Sequence, residues 1–84
     1  SGQIKIQGWK MDGKRIDDWV SYHSNGNKAS ESHYNNGVLD GKTVSYYTNG
    51  NIRYIGYYFK GAKAGTWQLF NEDGTPDREE KFDL

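Results

Sequence analysis

The sequence predicts an all-β fold, an elongated, twisted antiparallel meander of about seven strands built from 24-residue β-hairpin repeats. Three observations carry that expectation. Gly2, Gly26, Gly50 and Gly74 are 24 residues apart, and Gly13, Gly37 and Gly61 form a second series with the same step. Rings keep the same step, as Tyr22, Tyr46 and Phe70, as Tyr34, Tyr58 and Phe82, and as Trp9, His33 and Tyr57. No apolar set recurs at helical spacing, and Gly, Asn and β-branched or aromatic residues interrupt every long stretch, which disfavours helix.

The repeats divide the chain into one domain, residues 1–84, with a partial unit 1–7, repeats 8–31, 32–55 and 56–79, and a C-terminal cap strand 75–84. Each unit reads as a turn, a strand, a second turn and another strand. Strands are expected at Gln3 to Lys10, Asp18 to His23, Lys28 to Tyr34, Lys42 to Tyr47, Asn51 to Tyr58, Thr66 to Phe70 and Thr75 to Phe82. The first turn appears as Asn25-Gly26, Asn49-Gly50 and Asp73-Gly74, where Asn or Asp before Gly suits the positive φ angles of tight hairpin turns. Asp12-Gly13, Asn36-Gly37 and Gly61 mark the second turn, followed by a short linker. Gly41 and Gly65, with Asp17 at the equivalent place, indicate a bend or bulge before the second strand.

Alternation along a strand separates Trp19, Ser21 and His23 from Val20 and Tyr22, so both faces carry rings. The small residue at Gly8, Ser32 or Gly56 leaves room for a neighbouring ring to lie flat. The edges differ. Pro76 and the run Asp77-Arg78-Glu79-Glu80-Lys81 discourage pairing on the last strand, whereas the first strand, with Ile4 and Ile6, is less protected and is expected to pair with further repeats or a second copy.

Composition narrows function. Three Trp, seven Tyr and three Phe supply the burial that few aliphatic residues can. Eleven basic and eleven acidic residues cancel, so no long-range field draws in nucleic acid, and an anionic membrane is disfavoured as a partner for the same reason. With no cysteine there is neither a disulfide framework nor a thiolate metal site, and secretion and cytoplasm both stay open. No cofactor is expected.

Gly56-Tyr57-Tyr58, Gly61, Gly65-Thr66-Trp67, Phe70 and Asp73-Gly74 spell a pattern of Gly-x-Tyr, Gly, Gly-x-Trp, an aromatic residue and a turn. This resembles the MORN (membrane occupation and recognition nexus) repeat, and more closely its bacterial variant in YwqK-type antitoxin-like proteins. The resemblance implies an antiparallel sheet of successive hairpins that serves as a non-enzymatic scaffold for protein partners or self-association. The antitoxin label implies binding a toxin protein. The sequence departs from the pattern at Thr43, where Trp is expected, at Asp17, and at Ser32 and Glu80 in the Gly8 and Gly56 series.

Candidate partner-binding residues are Trp9, Trp19, His23, His33, Tyr47, Tyr57 and Trp67, read as a ladder of rings on the wetter face. The plainer reading is that these rings pack on one another across strands. Gly13, Gly26, Gly37, Gly50, Gly61 and Gly74 are assigned to turns. Asn71, Asp73, Gly74, Asp77 and Glu80 echo a calcium loop, but Leu69 stands where its leading Asp belongs and the hairpin turn explains the stretch. His23 and His33 occupy ordinary aromatic slots with no third metal ligand beside them. Asp17 and Asp18 point apart on a strand, and Ser21 near His23 is repeated as Ser45, so no catalytic set emerges. Two other binding classes compete with a protein partner. Gly8-Trp9, Trp19, Tyr22 and Gly26 faintly echo carbohydrate or cell-wall binding hairpin repeats, and a longer array could use the chain as a spacer or self-association segment.

Overall fold

The computed structural model describes residues 6–82. Eight strands form one antiparallel sheet: β1 Ile6–Met11, β2 Lys14–Tyr22, β3 Lys28–Asn35, β4 Val38–Leu39, β5 Gly41–Tyr46, β6 Ile52–Phe59, β7 Ala62–Phe70 and β8 Pro76–Phe82. The spatial order is β1-β2-β3-β5-β6-β7-β8, with β4 a short arm on β3. Apart from the step from β3 to β5, which passes the short β4, every step is to the next strand in sequence, as successive hairpins require. The sheet is a slab of 39 × 38 × 11 Å, a single layer with no second sheet or helix over the described residues. The part of the first expected strand before Ile6, Gly2 with it, lies outside the described residues.

Two details differ from the sequence expectation. The linker after the second turn is absent in the first and third units, because β2 and β7 start directly at Lys14 and Ala62. Asp12-Gly13, Asn36-Gly37 and Lys60-Gly61 each have both residues at positive φ, the signature of a two-residue turn whose twist matches the strands it joins. The break survives only in the middle unit, where Asp40 separates β4 from β5. The second difference is the Asn-Gly turn. At Asn25-Gly26 and Asn49-Gly50 only the glycine is left-handed. His23 N–H donates to Asn27 O at 2.8 Å and Gly26 N–H to His23 O at 2.9 Å, closing a three-residue loop, Ser24-Asn25-Gly26.

These loops are tied to one another. Asn25 and Asn27 both donate their side-chain amides to Thr48 O, at 2.7 and 2.9 Å. Asn49 and Asn51 repeat the pair on Glu72 O at 2.9 and 3.0 Å. The last loop uses Asp73 instead, whose carboxylate accepts from the Thr75 amide and hydroxyl and is thereby held below the usual carboxylate range.

The expected bend is also present. Asp17, Gly41 and Gly65 all have positive φ. In β2 and β7 the bend coincides with a register shift, since Gln7 pairs with Val20 but Trp9 with Ile16, and Ile55 pairs with Gln68 but Tyr57 with Ala64. Two extra residues therefore bulge from β2 and from β7. The bulge drops an indole across the preceding strand. A Cβ placed on Gly8 would lie 2.2 Å from the Trp19 ring, and one on Gly56 2.1 Å from the Trp67 ring, so each indole rests on a bare glycine backbone.

The rest of each cluster repeats as well. Arg15 lies 4.3 Å from the Trp19 ring centre, and Tyr34 meets that indole edge-on at 6.2 Å. Lys63 lies 4.9 Å from Trp67, and Phe82 meets it edge-on at 6.0 Å. The middle unit solves the same place differently. Ser32 replaces the floor glycine, Thr43 replaces the indole, and their hydroxyls share a hydrogen bond of 2.8 Å. A single-layer sheet thus makes its core from rings laid flat, roofed by cations whose stems cover the apolar surface.

Candidate functional site

The seven candidate residues fall in three places. Trp19 and Trp67, expected on the wetter face, are only 8% and 3% exposed. The glycine floor below and the cation and edge-on ring above leave an indole no water-facing side, so these two are core pillars. His23 and Tyr47 sit at the Asn-Gly end of the sheet. His23 Nε2 is 2.9 Å from Tyr46 O, and the Tyr47 hydroxyl donates to Phe70 O at 2.7 Å, so each ties its loop to the next repeat.

Trp9, His33 and Tyr57 form the third group. Arg15 shares the Trp19 face, so Ile16 and its cross-strand partner Trp9 lie on the opposite one. His33 pairs with Asp18 and Tyr57 with Lys42, both one residue from the indole row and therefore also opposite. Here the rings are open to solvent: Trp9 is 68% and Tyr57 46% exposed. His33 Nδ1 contacts the Asp18 carboxylate at 3.0 Å, a polar link in the middle of the row.

The two faces are mechanically joined. Trp19 Nε1–H donates to the backbone carbonyl of Trp9 at 2.9 Å and to that of Ile16 at 3.2 Å. Trp67 Nε1–H donates to Tyr57 O at 3.1 Å and Ala64 O at 3.2 Å. Each buried indole thus clamps the carbonyl of an exposed aromatic residue, fixing the strand from which that ring projects. A buried indole N–H needs such a partner, and the bulge supplies two.

Sequence reasoning missed several members of this surface. Met11 and Phe59, two residues beyond Trp9 and Tyr57 on the same strands, are exposed on the same face. They share a repeat position, 48 residues apart with Asn35 between, a signal hidden because the middle copy is polar. The cations Arg15 and Lys63 are likewise two repeats apart, with Leu39 between them.

Two shallow concavities flank these features. One of about 400 Å³ lies on the indole face, lined by Tyr54, Tyr58, Trp67 and Leu69 with Arg53 and Lys63 among its charged members. Burial pushes the Tyr58 phenol above its ordinary range, helped by the neighbouring Tyr54 and Tyr34. The other, about 410 Å³, lies on the opposite face between Val20, Val44, Tyr46 and Glu31. There the Tyr46 hydroxyl donates to Glu31, and that bond, with burial and the carboxylate charge, raises the Tyr46 pKa to about 12. Among the described residues no three His, Cys, Asp or Glu side chains come together as metal ligands.

The arrangement defines a hairpin-repeat module: a flat β platform with one structural face and one face of projecting rings. By sequence, the model of the MORN repeat variant family matches residues 18–36 and 39–60, so these two consecutive segments are similar to MORN-variant repeats. The bulge and indole of the third unit, beyond the matched segments, reproduce those of the first on the same kind of glycine floor, Gly56 for Gly8. No curated protein and no solved structure matches the chain.

Proposed function

We propose that the chain is a non-enzymatic interaction module whose ring-bearing face, centred on Trp9, His33, Tyr57 and Phe59, docks a partner protein. One observation carries this reading. The chain buries Trp19 and Trp67 almost completely yet leaves Trp9, Tyr57 and Phe59 about half exposed or more, each held on a rigid strand. Rings of this kind, pre-fixed in orientation, lose little freedom on binding and are enriched at the energetic centres of protein interfaces. Zero net charge suits a protein partner better than nucleic acid or an anionic membrane. Within the bacterial MORN variants, an antitoxin or immunity component that grips a toxin is the specific form this reading takes.

The test compares proteins captured by the native chain with those captured by a Tyr57→Ser/Phe59→Ser variant. Both side chains are exposed, so folding should be retained. The expected result is loss of specific partners, and recovery of the same set by both chains overturns the reading. A carbohydrate partner is the second reading, favoured by the aromatic walls of the indole-face concavity. Its ligand would rest on Tyr54 and Tyr58, which pack against Trp67, so a change of tryptophan emission with choline or soluble glucans supports it and an unchanged spectrum removes it.

A further inference from the structure

We propose that β1 is a self-pairing edge, along which two copies of this chain join antiparallel with Trp9 opposite Trp9 of the partner subunit, continuing one sheet from copy to copy. This rests on the reading of the chain as an interaction module and names one occupant for it. Among the described residues, the two outer strands of the sheet are unlike. β8 opens with Pro76, which lacks an amide hydrogen, and continues through five charged residues, Asp77 to Lys81. Both features discourage addition of a strand. β1 has one charged residue, Lys10, and all six of its residues are exposed, Ile6, Trp9 and Met11 among them. Such an edge is a template for pairing.

Backbone geometry identifies which groups are free. Met11 and Lys14 flank the two-residue turn at Asp12-Gly13, so they exchange hydrogen bonds with each other. Bonding alternates along an antiparallel ladder, so Trp9 also faces β2, while the Lys10 and Gly8 backbone groups point away from the sheet. A second copy must therefore bond to Lys10 and Gly8. Trp9 then falls in a non-hydrogen-bonded pair, the closer of the two types, where cross-strand rings meet.

Face and charge select the register. A two-fold axis normal to the sheet keeps each face continuous, so paired residues must share a face. An axis through Lys10 would set two ammonium groups opposite each other. An axis through Gly8 sets Lys10 against Ile6. An axis through Trp9 sets Lys10 against Gly8 and Met11 against Gln7, and stacks the most exposed ring of the described chain on its own copy. Only this last register keeps the ammonium clear of both like charge and an apolar side chain while covering Trp9.

A six-residue strand contact is small, so association should be weak and concentration-dependent. Sedimentation from about 10 μM to about 1 mM should show the mass rising from 9.6 kDa toward twice that value. Lys10→Pro removes an outward amide without touching the β1–β2 ladder and should hold the chain monomeric. The protein has no cysteine, so Trp9→Cys should give a disulfide-linked dimer on mild oxidation, whereas Tyr57→Cys under the same treatment should not. A 9.6 kDa mass at every loading, a dimer that Lys10→Pro leaves intact, or equal cross-linking at both positions overturns the proposal. A monomer whose captured partners still depend on Tyr57 and Phe59 overturns self-pairing alone. A β1 dimer whose captured set ignores those residues overturns the ring-face reading alone.

Discussion

Trp67→Ala is expected to destabilise the protein by about 3–5 kcal/mol, the range for deleting a large buried ring. Trp67 is the hub of the C-terminal half. It meets Tyr54 at 5.4 Å, Tyr58 at 5.3 Å and Phe82 at 6.0 Å between ring centres. Its N–H satisfies Tyr57 O and Ala64 O, and its face carries Lys63. Truncation leaves two carbonyls without that donor and a hollow that a single-layer sheet cannot close from the other side. Proteins hold roughly 0.05–0.15 kcal/mol per residue, so a chain of this length can lose a third or more of its stability. Urea unfolding followed by circular dichroism checks it. Trp19→Ala should cost less, because Trp19 has one close ring partner, Tyr34, in place of three.

Gly56→Ala is expected to be nearly as damaging although it adds only a methyl group. The new Cβ would stand 2.1 Å from Trp67 Cδ2 and 2.3 Å from Cε2, against rigid ring atoms with no flexible end to give way. Gly56 is absent from the positive-φ glycines, so the cost is purely steric. Lifting the indole also breaks its hydrogen bonds and its packing against Phe82. Overpacking a tight core typically costs about 1–3 kcal/mol, and a displaced ring puts this case at the upper end. Two readouts check it: a lower urea midpoint, and a red shift of tryptophan emission as Trp67 meets water. Gly8→Ala should behave alike, with Trp19 the displaced ring.

Much of this was legible in the sequence. The glycine and ring periods define the hairpins, and small residues at Gly8, Ser32 and Gly56 indicate floors for flat rings. The wet face was not legible. Alternation places rings on both faces, and a single layer has no buried side to decide between them. The answer lies in the bulge: only a ring that follows a left-handed residue, as Trp19 follows Asp17 and Trp67 follows Gly65, is dropped onto a glycine and covered. Arg15 and Lys63 stand four residues before the two covered indoles, but Lys5 stands at the same spacing before the exposed Trp9, so the cation alone does not mark a covered ring. Turn type was also hidden, because Asp12-Gly13 and Asn25-Gly26 look alike as dipeptides. Their loop lengths differ with the flanking hydrogen bonds, since His23 bonds to Asn27 around a three-residue loop.

This division of labour bears on function. Rings that the sequence offers as one ladder separate into pillars, loop ties and a projecting row, and only the row is available to a partner. The pillars matter to binding indirectly, by gripping the carbonyls of Trp9 and Tyr57.

The central claim is that an indole and its glycine floor form one unit, for which Ser32 and Thr43 are the polar substitute. A double-mutant cycle in the middle repeat tests it, with stability measured by urea unfolding for native, Ser32→Gly, Thr43→Trp and the double variant. Thr43→Trp alone should be strongly destabilising, since the indole would fall on the Ser32 side chain. Adding Ser32→Gly should restore stability, with a favourable coupling of about 1–3 kcal/mol. Additive effects, with the double variant no better than the sum of the two single changes, would contradict the account.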